Sequence, residues 1–208
     1  MALRIPKPRK HWTPRYIIDR MAWGLWQKRH PTEPWLVPGA VEFLGQWLRR
    51  TDTLVEFGSG RSTRWFAGKV GHITSIEHHP QWHVTVTGQL SQAGIKNVDY
   101  VLVKEDEAGY LAPLAHRGEK FDMVLVDGIH RDHCALWAFE HAKPGGLLVI
   151  DNANWYVPCG SRSPASIALN GSPPTEMWKQ FLEKTGVWRR VWFSSGVTDT
   201  LVMFVPVG

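Results

Sequence analysis

Two glutamates and a pair of glycines carry the first chemistry that the sequence offers. In "VEFGSGRSTRWFAG", residues 55–68, a short apolar run ends on Glu56 and Phe57, turns through Gly58 and Gly60 and continues into a helical pattern. A glycine turn at a helix start leaves unpaired N–H groups at the positive end of the helix dipole. It is a receptor for an anionic group: a dinucleotide, a phosphate or an amino-acid carboxylate. Glu77 closes a second apolar run, where a carboxylate can accept both hydrogen bonds of a ribose diol. Further on, Asp127 follows "FDMVLV", and Asp151 and Asn152 follow "GLLVI". Such oxygens suit Mg2+ or another hard divalent cation. His130 follows three residues after Asp127 and carries an imidazole, a side chain suited to act as a general base.

The alternatives for the turn can be narrowed. No Gly-x-x-x-x-Gly-Lys-Ser/Thr occurs, which excludes a Walker loop. Of a dinucleotide fingerprint only Gly58 and Gly60 are present, with Thr63 at the third glycine position. Glu77 fits NAD and an adenosyl ligand equally, but Glu56 separates them. A carboxylate at the end of the first strand repels a pyrophosphate and attracts the ammonium and sulfonium of S-adenosylmethionine. At about 4 Å a like-charge contact costs roughly 1 to 4 kcal/mol for effective dielectrics of about 80 to 20. The sign favours the sulfonium cofactor, and a dehydrogenase is the minor alternative.

These residues need a frame. Runs at 53–57, 72–77, 98–103, 121–126 and 146–150 read as strands, separated by helical stretches. One helix starts at Pro80 with Trp82, Val86 and Leu90 inward, a short one spans 107–116, and one starts near Arg131. Near-continuous apolar strands alternating with helices make an α/β protein with a parallel sheet covered on both faces. Ligands of such sheets bind outside the carboxyl ends of the strands. A helix capped at Thr175 leads to "VWRRVWF" and "TLVMFVP", a hairpin that ends the sheet with an antiparallel strand. Before the first strand, Thr13-Pro14 caps a helix whose apolar positions are Ile18, Met21, Ala22, Leu25 and Trp26, and Pro38 starts another with Val41, Leu44 and Leu48 inward.

With the frame drawn, a resemblance emerges. "VEFGSGRST", "TSIEHHP", "FDMVLVDGIH" and "KPGGLLVIDN", in this order, resemble the successive motifs of class I S-adenosylmethionine-dependent methyltransferases, over roughly residue 35 to the C-terminus. The resemblance implies a Rossmann-like, doubly wound sheet of seven strands in order 3-2-1-4-5-7-6 with strand 7 antiparallel. It also implies that Glu56, Gly58 and Gly60 line the methionine moiety, that Glu77 holds the ribose, and that Glu105 or Asp106 lies near the adenine. Ser59, Arg61 and Ser62 supply turn contacts, with His78 and Asp127 also against the cofactor. The trio Asp127, Asp151 and Asn152 resembles the metal site of catechol-type and caffeoyl-CoA-type O-methyltransferases. "DGIH" is similar to bacterial sugar and natural-product relatives, with His130 where the catechol-type enzymes place a lysine.

The expected reaction is methyl transfer to a hydroxyl of a small molecule or sugar, with His130 and Asp127 catalytic and the divalent cation optional. Residues 152–174, rich in Gly, Pro and Ser, are too long for a plain connection. Trp155 and Tyr156 there are candidates for an aromatic wall against the acceptor. Residues 1–50 read as a basic helical extension, a lid or an interface, and 51–208 as the methyltransferase domain. The first 30 residues hold eight Arg and Lys against Asp19 alone. Such an arm can attract nucleic acid, a membrane surface or an acidic substrate. A nucleic-acid methyltransferase is therefore an alternative, disfavoured because the Asp/Asn-Pro-Pro-aromatic signature is absent. A non-catalytic binder on the cofactor fold is another, and a homodimer is compatible with the sequence. The two cysteines, Cys134 and Cys159, lack metal or redox spacing. With no apolar run long enough to span a bilayer and no secretory signal, the expectation is a cytoplasmic protein.

Overall fold

The computed structural model describes residues 12–114 and 118–207. Seven strands, β1 (Thr53–Phe57), β2 (His72–Glu77), β3 (Val98–Leu102), β4 (Phe121–Val126), β5 (Ala142–Asp151), β6 (Arg190–Ser194) and β7 (Asp199–Phe204), form one sheet in the order β3-β2-β1-β4-β5-β7-β6. Neighbours among β1 to β5 are parallel, and β7 is antiparallel to both β5 and β6. This is the order that the resemblance implied. Strand β5 begins four residues earlier than its apolar run, and its pairing with β4 shifts register between Phe121 and Met123.

The helices are α1 (Pro14–Arg29), α2 (Pro38–Trp47), α3 (Arg61–Ala67), α4 (Pro80–Gln92), α5 (Glu107–Leu111), α6 (Arg131–His141) and α7 (Glu176–Lys184). Caps fix several starts. Tyr16 N–H donates to Thr13 Oγ1 at 3.2 Å, and Trp178 N–H donates to Thr175 Oγ1 at 3.2 Å. A 3-10 turn, Ala112–Leu114, follows α5, and the end of the helix expected over 107–116 lies outside the described residues. Apolar cores lie on the two faces of the sheet. One joins Phe57, Val126, Cys134, Ala138, Trp178 and Phe181. In the other, Leu36, Val41, Leu44 and Leu48 pack with Leu54, Phe66, Met123 and Val202, so residues 36–48 share a core with the strands that follow them.

Two expected faces are turned. In α1 the apolar positions Ile18 (65% exposed) and Met21 (63%) face outward with Ala22 and Leu25, and Trp23 is the buried residue. Of the expected stripe Trp26 does turn inward, stacked on His30 at 4.7 Å, and it shares that face with Trp23 and with Asp19 against the Gly196 turn. Two indoles remove more apolar area from water than the thinner stripe of Ile18, Met21 and Leu25. In α4, Val86 and Leu90 are buried as expected, whereas Trp82 is 37% exposed and its Nε1–H donates to Ser59 O at 2.8 Å. No helix among the described residues is long and apolar enough to cross a membrane.

Candidate active site

The glycine turn sits between the carboxyl ends of β1 and β4. Gly58 has φ +90°, and a Cβ there would stand 2.8 Å from Gly128 N and 2.9 Å from the Asp127 carbonyl carbon. Only glycine lets the two strand ends approach this closely. Beside the turn lies an open cleft of about 450 Å³ lined by Gly58, Ser59, Glu77, His78, His79, Trp82, Asp127, Gly128 and Ile129.

Beneath it, Glu56 is wholly buried. Its Oε2 accepts from Thr63 Oγ1 at 2.6 Å and Ser75 Oγ at 2.7 Å, while Oε1 has no partner. Thr63 Oγ1 also accepts from Gly60 N–H at 3.0 Å. The residue that departs from the third glycine of the fingerprint thus ties the turn to the acid. Burial pushes the Glu56 carboxyl up to about 7, opposed by the neighbouring hydroxyls of Ser62, Thr63 and Ser75 and assisted by the charge of Asp127. A buried carboxylate oxygen lacking a donor fits a cationic ligand group such as the ammonium of S-adenosylmethionine.

Glu77 is already engaged. Its Oε2 accepts from Ser59 Oγ at 2.5 Å and Ser59 N–H at 3.3 Å, and its Oε1 accepts from His78 and His79 N–H at 2.9 and 2.8 Å. Ser59 Oγ also pairs with Tyr100 Oη at 2.6 Å. A ribose diol would bind here beside or in place of Ser59. His78 lines the cleft, its ring edge-on to Tyr110. Asp106 instead caps α5, accepting from Gly109 N–H at 2.9 Å.

On the other side, Asp127, Asp151 and Asn152 do converge, but on a guanidinium. The Nη2 of Arg131 donates to Asp127 O and Oδ1 at 2.8 and 3.0 Å, its Nη1 to Asp151 O and Asn152 Oδ1 at 2.6 and 3.1 Å, and its Nε to Gly128 O at 2.8 Å. All five N–H groups are used. Asp151 Oδ1 accepts from Thr200 Oγ1 at 2.8 Å, and Asn152 Nδ2 donates to Thr198 Oγ1 at 2.7 Å. The donor set expected for a divalent cation therefore surrounds a cation supplied by the chain and does not fit a metal. Among the described residues no three His, Cys, Asp or Glu are grouped as metal ligands. Burial raises Asp127 despite Arg131 and, with the charge of Asp127, pushes Asp151 up to about 8.

The expected base is also displaced. His130, at φ 46°, turns toward the loop after β3, where its Nε2 lies 2.6 Å from Glu105 O, and its ring packs edgewise against Tyr110 and His133. A carbonyl cannot donate, so Nε2 carries the proton. His130 is not among the cleft residues. Trp155 and Tyr156 serve the loop rather than a cleft wall: Trp155 Nε1–H donates to Pro164 O at 3.3 Å, and Tyr156 stacks on Trp178 at 5.0 Å beneath Arg131.

Nothing in the residue pattern points to Asp199. Wholly buried, it accepts from Ser163 Oγ at 2.5 Å, Ser194 Oγ at 2.6 Å and Trp192 Nε1–H at 2.9 Å, fastening the 152–174 loop to the β6–β7 hairpin.

With this geometry in view, the comparisons with known proteins fall into place. Residues 55–153 match a family described as a methyltransferase domain. No curated protein matches the sequence. Among solved structures, the fold is shared with a Klebsiella pneumoniae protein provisionally named an O-methyltransferase (18% identity, 98% of this chain and 93% of that one, TM-score 0.61). It is also shared with the O-methyltransferase TomG of Streptomyces achromogenes, which is involved in tomaymycin synthesis and was solved with S-adenosylmethionine (21% identity, 76% and 74%, TM-score 0.56). A Streptococcus thermophilus rRNA methylase shares it as well (15% identity, 80% and 93%, TM-score 0.53). The family match over residues 55–153, the strand order and the glycine turn agree in supporting a class I S-adenosylmethionine-dependent methyltransferase.

Proposed function

We propose that the chain methylates a hydroxyl oxygen of a small-molecule acceptor, with Asp127 receiving the hydroxyl proton. One observation carries this reading: Asp127 lines the cleft at the end of β4 with its Oδ1 fixed by Arg131, and its carboxyl is raised by burial. A raised carboxyl is a stronger base than an ordinary one, and fixing one oxygen orients the other. S-adenosylmethionine, when bound, supplies a methyl group on a positively charged sulfur. Glu56 would receive its ammonium, Glu77 its ribose, and the turn from Gly58 to Gly60 its carboxylate. Arg131 holds the loops after β4 and β5 in register.

The experiment is Asp127→Asn, with turnover on a panel of phenolic and sugar hydroxyls measured beside S-adenosylhomocysteine affinity. Turnover should fall by about a hundredfold or more, with affinity for S-adenosylhomocysteine kept within a few fold. An active variant would remove Asp127 as the proton acceptor. Wild-type turnover should be the same in EDTA as in Mg2+.

A further inference from the structure

A second cavity, of about 680 Å³, opens where α1, the 152–174 loop and the β6–β7 turn meet. It lies on the acceptor side of the sheet's carboxyl edge, because β7 runs antiparallel to β5 and pairs Thr200 with Asp151. A relay of hydrogen bonds connects it to the cleft. Ser195 on its wall bonds Thr198, Thr198 accepts from Asn152, Asn152 accepts from Arg131, and Arg131 holds Asp127.

The walls divide into two kinds. Trp192, Val157 and Leu169 give an apolar side. Arg15, Arg162 and Arg190 line the same cavity, with Asp19 as the opposing charge. The guanidinium of Arg190 is committed, donating to Thr185 O at 2.8 Å and Gly186 O at 3.4 Å. Arg15 pairs only loosely with Asp19, at 3.7 Å, and Asp19 is itself packed on the Gly196 turn. Arg162 has no ion-pair or hydrogen-bond partner among the described residues. Two guanidinium groups at the rim of this open cavity thus have donors to give.

We propose that this cavity binds an anionic group of the methyl acceptor, a carboxylate or a phosphate, through Arg15 and Arg162, with the acceptor's apolar body against Trp192 and Val157. The proposal rests on the small-molecule O-methyltransferase reading above. It narrows the acceptor to a hydroxy acid or hydroxylated phosphate ester. Guanidinium groups recognise both anions through paired N–H donors, and the apolar wall removes hydrocarbon surface from water beside them.

The test is calorimetric titration of the full chain with 4-hydroxybenzoate, 4-hydroxyphenyl phosphate and neutral 4-hydroxybenzamide, with and without S-adenosylhomocysteine. At least one anion should bind about fivefold or more tightly than the amide, and its affinity should fall as salt rises. The carboxylate and phosphate arms identify the anion. Arg162→Gln and Arg15→Gln, both at exposed positions, should each weaken the preferred anion by about fivefold, leaving the amide and S-adenosylhomocysteine unaffected. Equal binding of anions and amide, no binding of either anion at millimolar concentration, or full anion affinity in both variants would overturn the proposal. If S-adenosylhomocysteine fails to bind while the anion preference and its loss in the variants persist, the acceptor reading falls and the anion site is supported.

Discussion

Around the glycine turn, Glu56 is held by Thr63 and Ser75, 7 and 19 positions away, and Glu77 by Ser59 and the two residues that follow it. Across the sheet edge, Asp199 ties its own hairpin to Ser163, 36 positions earlier, and Thr200 accepts from the N–H of Val37, 163 positions earlier. The cofactor side is thus assembled largely from one βαβ unit. The acceptor side is closed by segments from both ends of the chain. The contrast teaches that the carboxylates beside the glycine turn are held by contacts between consecutive elements, whereas the second cavity depends on segments far apart in the chain.

Gly58→Ala should break the cofactor side most severely. The added Cβ meets β4-loop backbone at 2.8 Å and demands a positive φ, which costs about 3 kcal/mol or more. Thermal melts should show a drop of roughly 6 to 12 °C and no rescue by S-adenosylhomocysteine. Asp199→Ala should break the other side, leaving the donors of Ser163, Ser194 and Trp192 unpaired. A loss of about 2 to 4 kcal/mol is expected, with S-adenosylhomocysteine affinity preserved. Equal damage to cofactor affinity would show that the two halves do not form separately.

The smallest effect sharpens the comparison through pH. The folded carboxyl of Glu56, at about 7, lies above its ordinary value of 4.5. A raised acid favours the folded state fully below the unfolded value, and that contribution is lost as pH rises from 4.5 toward 7. Glu56→Gln should therefore be stabilised relative to the wild type at pH 8 and flatten the melting curve's pH dependence over that window. It should also abolish the proton released when S-adenosylhomocysteine binds near pH 6, read by calorimetry in buffers of different ionisation enthalpy. Unchanged proton release would place the titrating group elsewhere.

Much of the fold could be read from the chain because each strand is a separate apolar run bounded by polar or glycine residues, and motif order implied the sheet order. The positions of Glu56, Gly58 and Glu77 were legible for the same reason: each is fixed by the strand end it occupies. Faces were less legible. The periodicity of α1 reveals an apolar stripe without saying whether Ile18 or Trp23 will be covered, because coverage depends on where the helix lands. Arg131 was missed although it lies four residues after Asp127, one helical turn away, which is a usable signal for an ion pair. His130 drew attention by its chemistry alone, and its positive φ, which turns it away from the cleft, left no trace in residue type. Asp199 could not be found, since its partners are assembled only when the loop and the hairpin meet.

Arg131 acts as a clamp across two loops. Its planar fork reaches the backbone or side chains of Asp127, Gly128, Asp151 and Asn152 at once, a span that a lysine's single nitrogen cannot cover. The loops after β4 and β5 are thereby one mechanical body pinned to the first turn of α6. Neither loop can shift alone without breaking hydrogen bonds of this one side chain.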